Sequence, residues 1–199
     1  LIRADANREH RQIGLVDVYG GSAAHTGREC FDYAGHRTGE GYSCQGNILT
    51  GPQVVDAMIS AYLLATGELA DRLVMALLAG DEAGGDRRGR QGAAVMVAKP
   101  NGGYGGNNDR YLDLRVDDHV DPVPELIRLV GIHHLFFGKS LPEDQIPMTE
   151  DLARELQRYL VTYGYSTTEP TGVWDDDWKQ AFTALVANEN LEERWSIET

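Results

Sequence analysis

The sequence predicts an α+β fold in two parts, a layered domain of strands and helices followed by a small all-helical domain. Apolar runs of strand length occur early in the chain and again near residue 93, and helical periodicity lies between them. After a stretch with two prolines and mixed charge at 138–147, only helical periodicity follows. We therefore predict domains at 1–137 and 148–199, joined by a linker at 138–147.

The strands are predicted to form two antiparallel sheets that lie between helix layers. Their predicted bounds are 11–18, 22–26, 93–98 and 110–116. The first two flank the segment Tyr19-Gly20-Gly21-Ser22, whose residues suit a hairpin turn. Residues 29–51 contain five glycines and few long apolar runs. We predict that this segment is an ordered loop over the sheet edge, and a short strand at 42–45 stays open as an alternative.

Helices are predicted where apolar residues recur at helical spacing. Their predicted bounds are 52–66, 68–79, 123–137 and 149–163, and a last helix is capped by Asp175 or Asp176. Pro52 is expected to open the first helix, and Gly80 is expected to end the second. The residues predicted to face inward from the last helix are Trp178, Phe182 and Leu185.

Composition and charge exclude several classes of protein. With 42% hydrophobic and 25% charged residues, the chain has the balance of a soluble globular protein. No apolar run approaches the ~20 residues that span a bilayer. A formal charge of −13 argues against general nucleic-acid binding, which needs a basic face. Cys30 and Cys44 are the only cysteines; they lack zinc-type spacing, and whether a disulfide joins them stays open.

Two glycine-rich, charged turns flank the predicted strand 93–98 and form the best candidate site. Glycines in such turns allow positive φ or a close approach of backbone to a ligand. An arginine suits a substrate carboxylate, and an asparagine amide suits an oxyanion. One side of the predicted pocket is lined by Asp86, Arg87, Arg88 and Gln91, and the opposite side by Asn107, Asn108 and Asp109. His36 and Asn47 are expected to enter from the loop at 29–51.

The same turns also allow a structural interpretation, in which their charges form internal ion pairs such as Asp86 with Arg110. Potential metal ligands are concentrated at Asp117, Asp118, His119 and Asp121. Successive residues at a strand end point in opposite directions, so a solvated turn before a helix explains them better. We therefore predict no metal site and no cofactor. Neither a P-loop nor a Rossmann fingerprint occurs.

Five ordered motifs resemble one protein family: AAHTGREC, AGHRTGEGYSCQGNIL, AGGDRRGRQGAA, GYGGNNDR and DLRVDDHVDPVPEL. The family, called domain of unknown function 1028, is bacterial and archaeal, and the resemblance covers residues 10–137. It implies an αββα sandwich similar to that of the N-terminal-nucleophile (Ntn) hydrolases. In those enzymes the first residue of the mature chain is a Thr, Ser or Cys nucleophile whose own α-amine is the base. Leu1 is not such a residue. Either an N-terminal part carrying the nucleophile is missing from this sequence, as we expect, or the family does not use this chemistry.

The second part of the chain, ARELQRYLVTYGYSTTEPTGVWDDDWKQAFTAL, resembles a peptidoglycan-binding domain that some members of that family carry. The resemblance depends on Leu156, Gln157, Gly164, Tyr165, Gly172, Trp178 and Phe182. It implies a cell-wall glycan or peptide as partner. Trp174 lies in the turn before the last helix and is the predicted contact residue, because aromatic faces stack on sugar rings. The alternative, that the aromatic residues only fill a small core, is favoured for Tyr159 and Trp178.

Two functional hypotheses follow from these residues and resemblances. In the first, the protein is an Ntn-type amidohydrolase acting on a small amide or peptide. The catalytic set is then His36, Asn47, Asp86, Asn108 and Asp109, and the substrate-binding set is Arg87, Arg88, Gln91 and Asn107. In the second, it is a non-catalytic binding or assembly protein with a cell-wall-binding module.

Further expectations concern assembly, partners and location. A homo-oligomer is expected under either hypothesis, with Phe136 and Phe137 as part of a partner patch. No nucleic-acid or membrane partner is predicted. The predicted compartment is the cytoplasm, and a secreted or envelope location stays open because the N-terminal part is expected to be missing.

Overall fold

The structure is a computed structural model that describes residues 2–138, 140 and 142–195. The chain divides into two compact units, Leu1–Val130 and Gly131–Thr199, called the core unit and the C-terminal unit below. The core unit combines strands and helices, whereas the described residues of the C-terminal unit form helices and loops. The predicted α+β class is therefore confirmed.

Over its described residues, the core unit holds six strands in three antiparallel hairpins. These are β1 (Gln12–Val16) with β2 (Ser22–Thr26), β3 (Gly35–Gly39) with β4 (Tyr42–Gly46), and β5 (Ala93–Ala98) with β6 (Arg110–Val116). The four strands predicted from apolar runs are present at the expected places. These four strands form two antiparallel sheets of two strands each, and β3 with β4 forms a third sheet beyond the two that were predicted.

The segment at 29–51, expected to be a loop with a possible strand at 42–45, contains the β3–β4 hairpin; β4 confirms that strand, whereas β3 is not predicted. Two of its glycines lie against tyrosine rings. A Cβ at Gly35 would lie 2.9 Å from the ring carbon Cζ of Tyr33, and one at Gly39 would overlap the ring of Tyr42. A strand with glycine at these positions has little apolar periodicity, so the sequence pattern does not detect it.

The helices of the core unit are α1 (Gln53–Leu64), α2 (Leu69–Glu82) and α3 (Pro122–Phe137), of which α3 continues into the C-terminal unit. Gly80 was expected to end α2, but it lies inside that helix. A Cβ there would lie 2.6 Å from Cγ of Met58 in α1. Glycine is therefore required by the close approach of two helices, and α2 continues past it. The start of α2 is fixed by a capping box between Glu68 and Asp71.

The hydrophobic core of the core unit lies between the β5–β6 hairpin and the helices α2 and α3. Alternation along the strands puts Val95, Val97 and Leu112 on one buried face. Their buried partners are Ala70 and Val74 of α2 and Leu126 and Val130 of α3. Burying one Val or Leu side chain contributes about 1.5–3 kcal/mol, so this cluster fixes the hairpin and the charged turns at its two ends.

The C-terminal unit contains α4 (Glu150–Thr162) and α5 (Asp176–Asn188). Thr149 and Asp175 cap these helices by accepting hydrogen bonds from backbone N–H groups of the first turn, at 3.3 and 3.2 Å. Leu160, Trp178 and Leu185 form the buried centre, as the apolar spacing predicts. In neither unit does a described helix have both the length and the apolar content needed to cross a membrane.

Candidate functional site

A polar network joins the β1–β2 and β3–β4 hairpins. Gln12 Nε2 lies 3.1 Å from Thr26 Oγ1 and 2.9 Å from the carbonyl oxygen of Gly46. Thr26 Oγ1 is 2.8 Å from His36 Nδ1, and Asn47 Nδ2 donates to Gln12 Oε1 at 3.1 Å. His36 and Asn47, both predicted site residues, therefore belong to one network. We call Gln12, Thr26, His36 and Asn47 the hairpin network.

The close approach of the two hairpins depends on Gly14 in β1. A Cβ at Gly14 would lie 2.9 Å from Cδ of Gln45 and would overlap the hydroxyl of Ser43, both in β4. Gln12 and Thr26 are register partners, so their side chains share the face of β1–β2 that bears Gly14. No local sequence pattern marks Gln12 as a site residue, because only the pairing of β1 with β2 puts it beside Thr26.

The first charged turn lies beside the segment that follows β4. Asp86 forms a β-bridge with Leu49, and Arg87 N donates to the carbonyl oxygen of Ile48 at 2.8 Å. Asp86 is paired with Arg88, whose Nη2 lies 2.7 Å from Asp86 Oδ2. The Arg88 side chain, followed by the Arg88 backbone N–H, lowers the pKa of Asp86 below its ordinary value. At neutral pH Asp86 is therefore ionised, and the positive charge of Arg88 balances its negative charge. A carboxylate with a lowered pKa is a weak general base.

Ion pairs hold the rest of this turn in place. Arg90 bridges Asp81 and Asp121, with an N–O distance of 2.8 Å to each. The backbone carbonyl of Gln91 accepts a hydrogen bond from His119 N at 2.9 Å. The structural interpretation of the charges is thus correct for Arg90, which lies next to the predicted site residues.

Arg110 and Asp117 both form ion pairs with residues of β6. The suggested pair of Asp86 with Arg110 is wrong, because Arg110 Nη1 lies 3.3 Å from Asp113 Oδ2. Asp117 pairs with Arg115 at 3.1 Å. In the described ranges, no group of three or more His, Cys, Asp or Glu residues could hold a metal ion.

The second turn lies at the other end of the β5–β6 hairpin. Asn108 Oδ1 accepts from Arg110 N at 2.8 Å, and Asp109 Oδ1 accepts from Asn101 N at 3.0 Å. Asn107 Nδ2 donates to Tyr104 O at 3.3 Å. Six strand residues separate this turn from the first, which corresponds to about 20 Å.

The structure therefore does not bring the two turns together. Asp86, Arg87 and Arg88 lie near the chain that carries Asn47, whereas Asn107, Asn108 and Asp109 organise a distant turn. The expected pocket with one turn on each side is not formed by the described residues. The catalytic and substrate-binding roles assigned to these residues stay predictions.

An apolar cleft of about 490 Å³ opens elsewhere in the core unit. Its lining comes from β4, β5, α1 and α2 and includes Cys44, Met58, Tyr62, Leu73, Leu77 and Val95. β4 and β5 are not paired with each other. The side chains that line the cleft are mainly apolar, so it suits an apolar chain segment better than a charged substrate.

Both thiols are free, so no disulfide joins Cys30 and Cys44. Cys44 Sγ lies 3.8 Å from Met58 Sδ at the cleft wall. Desolvation by burial raises the pKa of Cys44 above its ordinary value. Cys44 is therefore a weakly reactive thiol and a poor nucleophile.

In the C-terminal unit, Trp174 packs edge-on against two other rings. Its ring centroid lies 5.7 Å from that of Phe182 and 6.3 Å from that of Trp195, with interplanar angles of 70° and 87°. Its Nε1 is buried and has no hydrogen-bond partner among the residues that the structure describes. Trp174 is predicted to be an open platform for a sugar ring, whereas its ring packs against other aromatic rings of the unit.

Comparison with protein-family models matches residues 1–126 to the family of unknown function DUF1028. Residues 136–199 match a second model, described as "Putative peptidoglycan binding domain". Both resemblances stated from the sequence are thereby confirmed. The comparison with curated proteins gave no match.

Among solved structures, the chain is similar to protein SPO2555 from Silicibacter pomeroyi, a crystal structure assigned to the same family. The two are 29% identical with a TM-score of 0.58, and the match covers 67% of this chain. It covers 56% of the other, so this chain spans little more than half the length of that protein. With one family model matched over residues 1–126 of its 199, the chain belongs to the family of unknown function DUF1028.

Proposed function

We propose that the protein attaches to the cell wall through its C-terminal unit, which binds peptidoglycan. The observation that carries this proposal is the family match at 136–199, because it coincides with a unit that has its own buried centre. A unit with its own core can present a binding surface independently of the rest of the chain. The proposed domain organisation keeps the core domain at 1–137, the linker at 138–147 and the binding domain at 148–199.

Sedimentation of the intact chain with purified peptidoglycan tests this proposal. We expect the chain in the pellet with peptidoglycan and in the supernatant with an equal mass of cellulose. Cellulose is the matched control, because its sugar rings lack acetamido groups and peptide stems. Recovery of the chain in the supernatant with both polymers would contradict the proposal.

A second candidate function is hydrolysis of a small amide or peptide by an Ntn-type enzyme. The hairpin network favours it, since the Thr26 hydroxyl and the His36 imidazole are within hydrogen-bond distance and amide donors lie beside them. The proposed catalytic residues are His36, Asn47 and Asp86, and the proposed substrate-binding residues are Arg87, Arg88 and Gln91. The roles predicted for Asn107, Asn108 and Asp109 would require a second site, because their turn lies at the other end of β5. The nucleophile in this proposal comes from outside this sequence.

The αββα arrangement of the Ntn enzymes belongs to the same proposal. The apolar cleft supports it, because β4 and β5 contribute to its walls without pairing and the helices α1 and α2 complete the lining. Such a cleft is suited to further strands with apolar side chains. A structure of a longer form of the protein is expected to show strands in this cleft. A cleft that remains open there would contradict the sandwich.

The hydrolase proposal is tested with a form of the protein that includes an N-terminal nucleophile. We expect turnover of at least one compound in a panel of amides, ureas and cell-wall peptides, and a large loss of turnover in His36→Ala. His10→Ala is the matched control, because His10 pairs with Glu29 at the exposed surface of the same unit. Absence of turnover in the unsubstituted protein, or equal rates in both variants, would contradict the proposal.

The homo-oligomer and the compartment are also proposals. Phe137 is 48% exposed, which fits a role in a partner patch. Light scattering is expected to give a multiple of the 21.9 kDa chain mass, and a monomer mass would contradict the homo-oligomer.

Cell fractionation tests the compartment. Recovery of the protein in the cytoplasmic fraction would agree with the sequence-based prediction, and recovery in the envelope fraction would agree with peptidoglycan binding.

A further inference from the structure

Two exposed tyrosines form a stacked pair at the end of α4. Tyr159 and Tyr163 are four residues apart, so they lie on the same helix face. Their ring centroids are 4.3 Å apart with an interplanar angle of 37°. The residues are 47% and 62% exposed, respectively. Unlike Trp174, this pair presents aromatic surface to the solvent.

The end of α5 contacts the segment that follows the pair. Asn188 Nδ2 lies 3.2 Å from the hydroxyl oxygen of Tyr165, which follows α4 closely in the chain. Desolvation, followed by the neighbouring Tyr163 and Glu189, raises the pKa of Tyr159 above its ordinary value. Tyr165 and Glu189 both act on Tyr159, and Asn188 is connected to the pair through Tyr165.

These groups have complementary roles in binding a sugar. The C–H face of a pyranose ring packs on an aromatic face, while an amide and a carboxylate bond to hydroxyl and acetamido groups. Residues 131–199 contain thirteen Asp and Glu residues against five Lys and Arg. This balance disfavours contact with anionic groups such as phosphates and stem-peptide carboxylates, and it favours contact with the uncharged rings of the glycan strand.

We infer that Tyr159, Tyr163, Asn188 and Glu189 form the ligand-contact surface of the C-terminal unit, and that they bind an N-acetylated amino sugar of a glycan strand. This inference rests on the proposed peptidoglycan binding and gives it a location. The patch is named the tyrosine patch below. It replaces Trp174 as the predicted contact, because that ring is packed against Phe182.

The test is sedimentation of intact-chain variants with purified peptidoglycan, together with titration of a soluble N-acetylglucosamine oligomer. Replacing both Tyr159 and Tyr163 by Ala is expected to weaken binding at least about tenfold, which corresponds to ~1.4 kcal/mol. Replacing both by Phe keeps the rings and is expected to retain most of the affinity. Tyr19→Ala is the matched control, since Tyr19 is 92% exposed and lies in the core unit. Tryptophan emission verifies that each variant remains folded.

The outcomes separate this inference from the proposed function. Binding by the unsubstituted chain, loss in the double Ala variant and retention in the double Phe variant support the tyrosine patch. If the unsubstituted chain binds and a folded double Ala variant binds equally well, the patch is wrong and peptidoglycan binding stands. If the unsubstituted chain binds neither probe, the proposed function fails and the patch fails with it.

Discussion

Gln157 in α4 is expected to be the most sensitive polar position of the C-terminal unit. Its side chain is fully buried and joins α4 to the loop that precedes α5. Nε2 donates to the carbonyl oxygen of Val173 at 2.7 Å, and Oε1 accepts from Gly172 N at 2.7 Å. Gln157→Ala leaves both backbone groups without these partners. Gly172 is buried, whereas Val173 is exposed. An unpaired buried group costs about 1–3 kcal/mol and the cavity left by a fully buried side chain adds a similar cost, so we expect a loss of about 2–6 kcal/mol.

Such a loss is comparable to the whole stability of a small unit, whose core supplies about 3–5 kcal/mol. The three tryptophans of the chain, Trp174, Trp178 and Trp195, all lie in the C-terminal unit, so tryptophan emission reports its unfolding selectively. For a unit of this size, 1 kcal/mol shifts the thermal midpoint by about 4–8 °C, which predicts a decrease of at least about 8 °C.

Gln145→Ala is the matched control for this measurement, because Gln145 is exposed in the same unit. A surface substitution of this kind is expected to change stability by less than about 0.5 kcal/mol. An equal midpoint for the Gln157 and Gln145 variants would refute the reasoning. An equal midpoint would mean that the buried Gln157 amide does not stabilise the loop before α5.

Three further predictions concern the core unit. Gly80→Ala is expected to destabilise it by about 1–3 kcal/mol in a far-UV circular dichroism melt, because the added methyl group meets Met58. Gly131→Ala is the control and should cause no loss of stability, because a Cβ there meets nothing within 4 Å. Arg88→Ala is expected to lower the melting midpoint at pH 7. Because the folded-state pKa of Asp86 is lowered, the difference in midpoint from the unsubstituted chain should shrink as the pH falls through that pKa. A difference that persists at strongly acidic pH would contradict this prediction. In thiol labelling, Cys44 is expected to react more slowly than Cys30, and urea should abolish the difference between the two rates. Two equal rates in the folded protein would contradict the burial of Cys44.

Elements with strong apolar periodicity could be predicted from the sequence, and β3 could not. Helix α4 combines a cap at Thr149 with an apolar stripe that reaches Leu160, and both signals are local. The β3 strand contains glycine at both ends and owes its place to Tyr33 and its pairing with β4. Those contacts depend on tertiary packing, which apolar periodicity does not record.

The candidate site was predictable only in part, for the same reason. His36 and Asn47 were selected as polar residues in a glycine-rich segment, and they do share a network. Gln12 completes that network from 35 positions earlier in the chain, and no local pattern marks it. Asp86 lies in the turn that precedes β5, and Asn108 lies in the turn that connects β5 with β6. The length of β5 therefore separates the two residues.

Trp174 shows a different limit of sequence interpretation. Its position in a turn suggested exposure, but a unit of this size has few residues with which to fill a core. Large rings from turns are then recruited to the interior, as the contact of Trp174 with Phe182 demonstrates. The exposed aromatics of the unit lie on α4 instead, where Tyr159 and Tyr163 follow helical spacing.

The most direct test of peptidoglycan binding by the C-terminal unit is its thermal midpoint with and without soluble peptidoglycan fragments. A ligand that binds only the folded unit raises its stability by RT ln(1 + [L]/Kd), which is about 2.7 kcal/mol at one hundred times Kd. We predict that fragments raise the midpoint recorded by tryptophan emission and leave that of the core unit unchanged. An unchanged tryptophan midpoint at fragment concentrations that displace the chain from the peptidoglycan pellet would contradict the account, because the binding site would then lie outside the C-terminal unit.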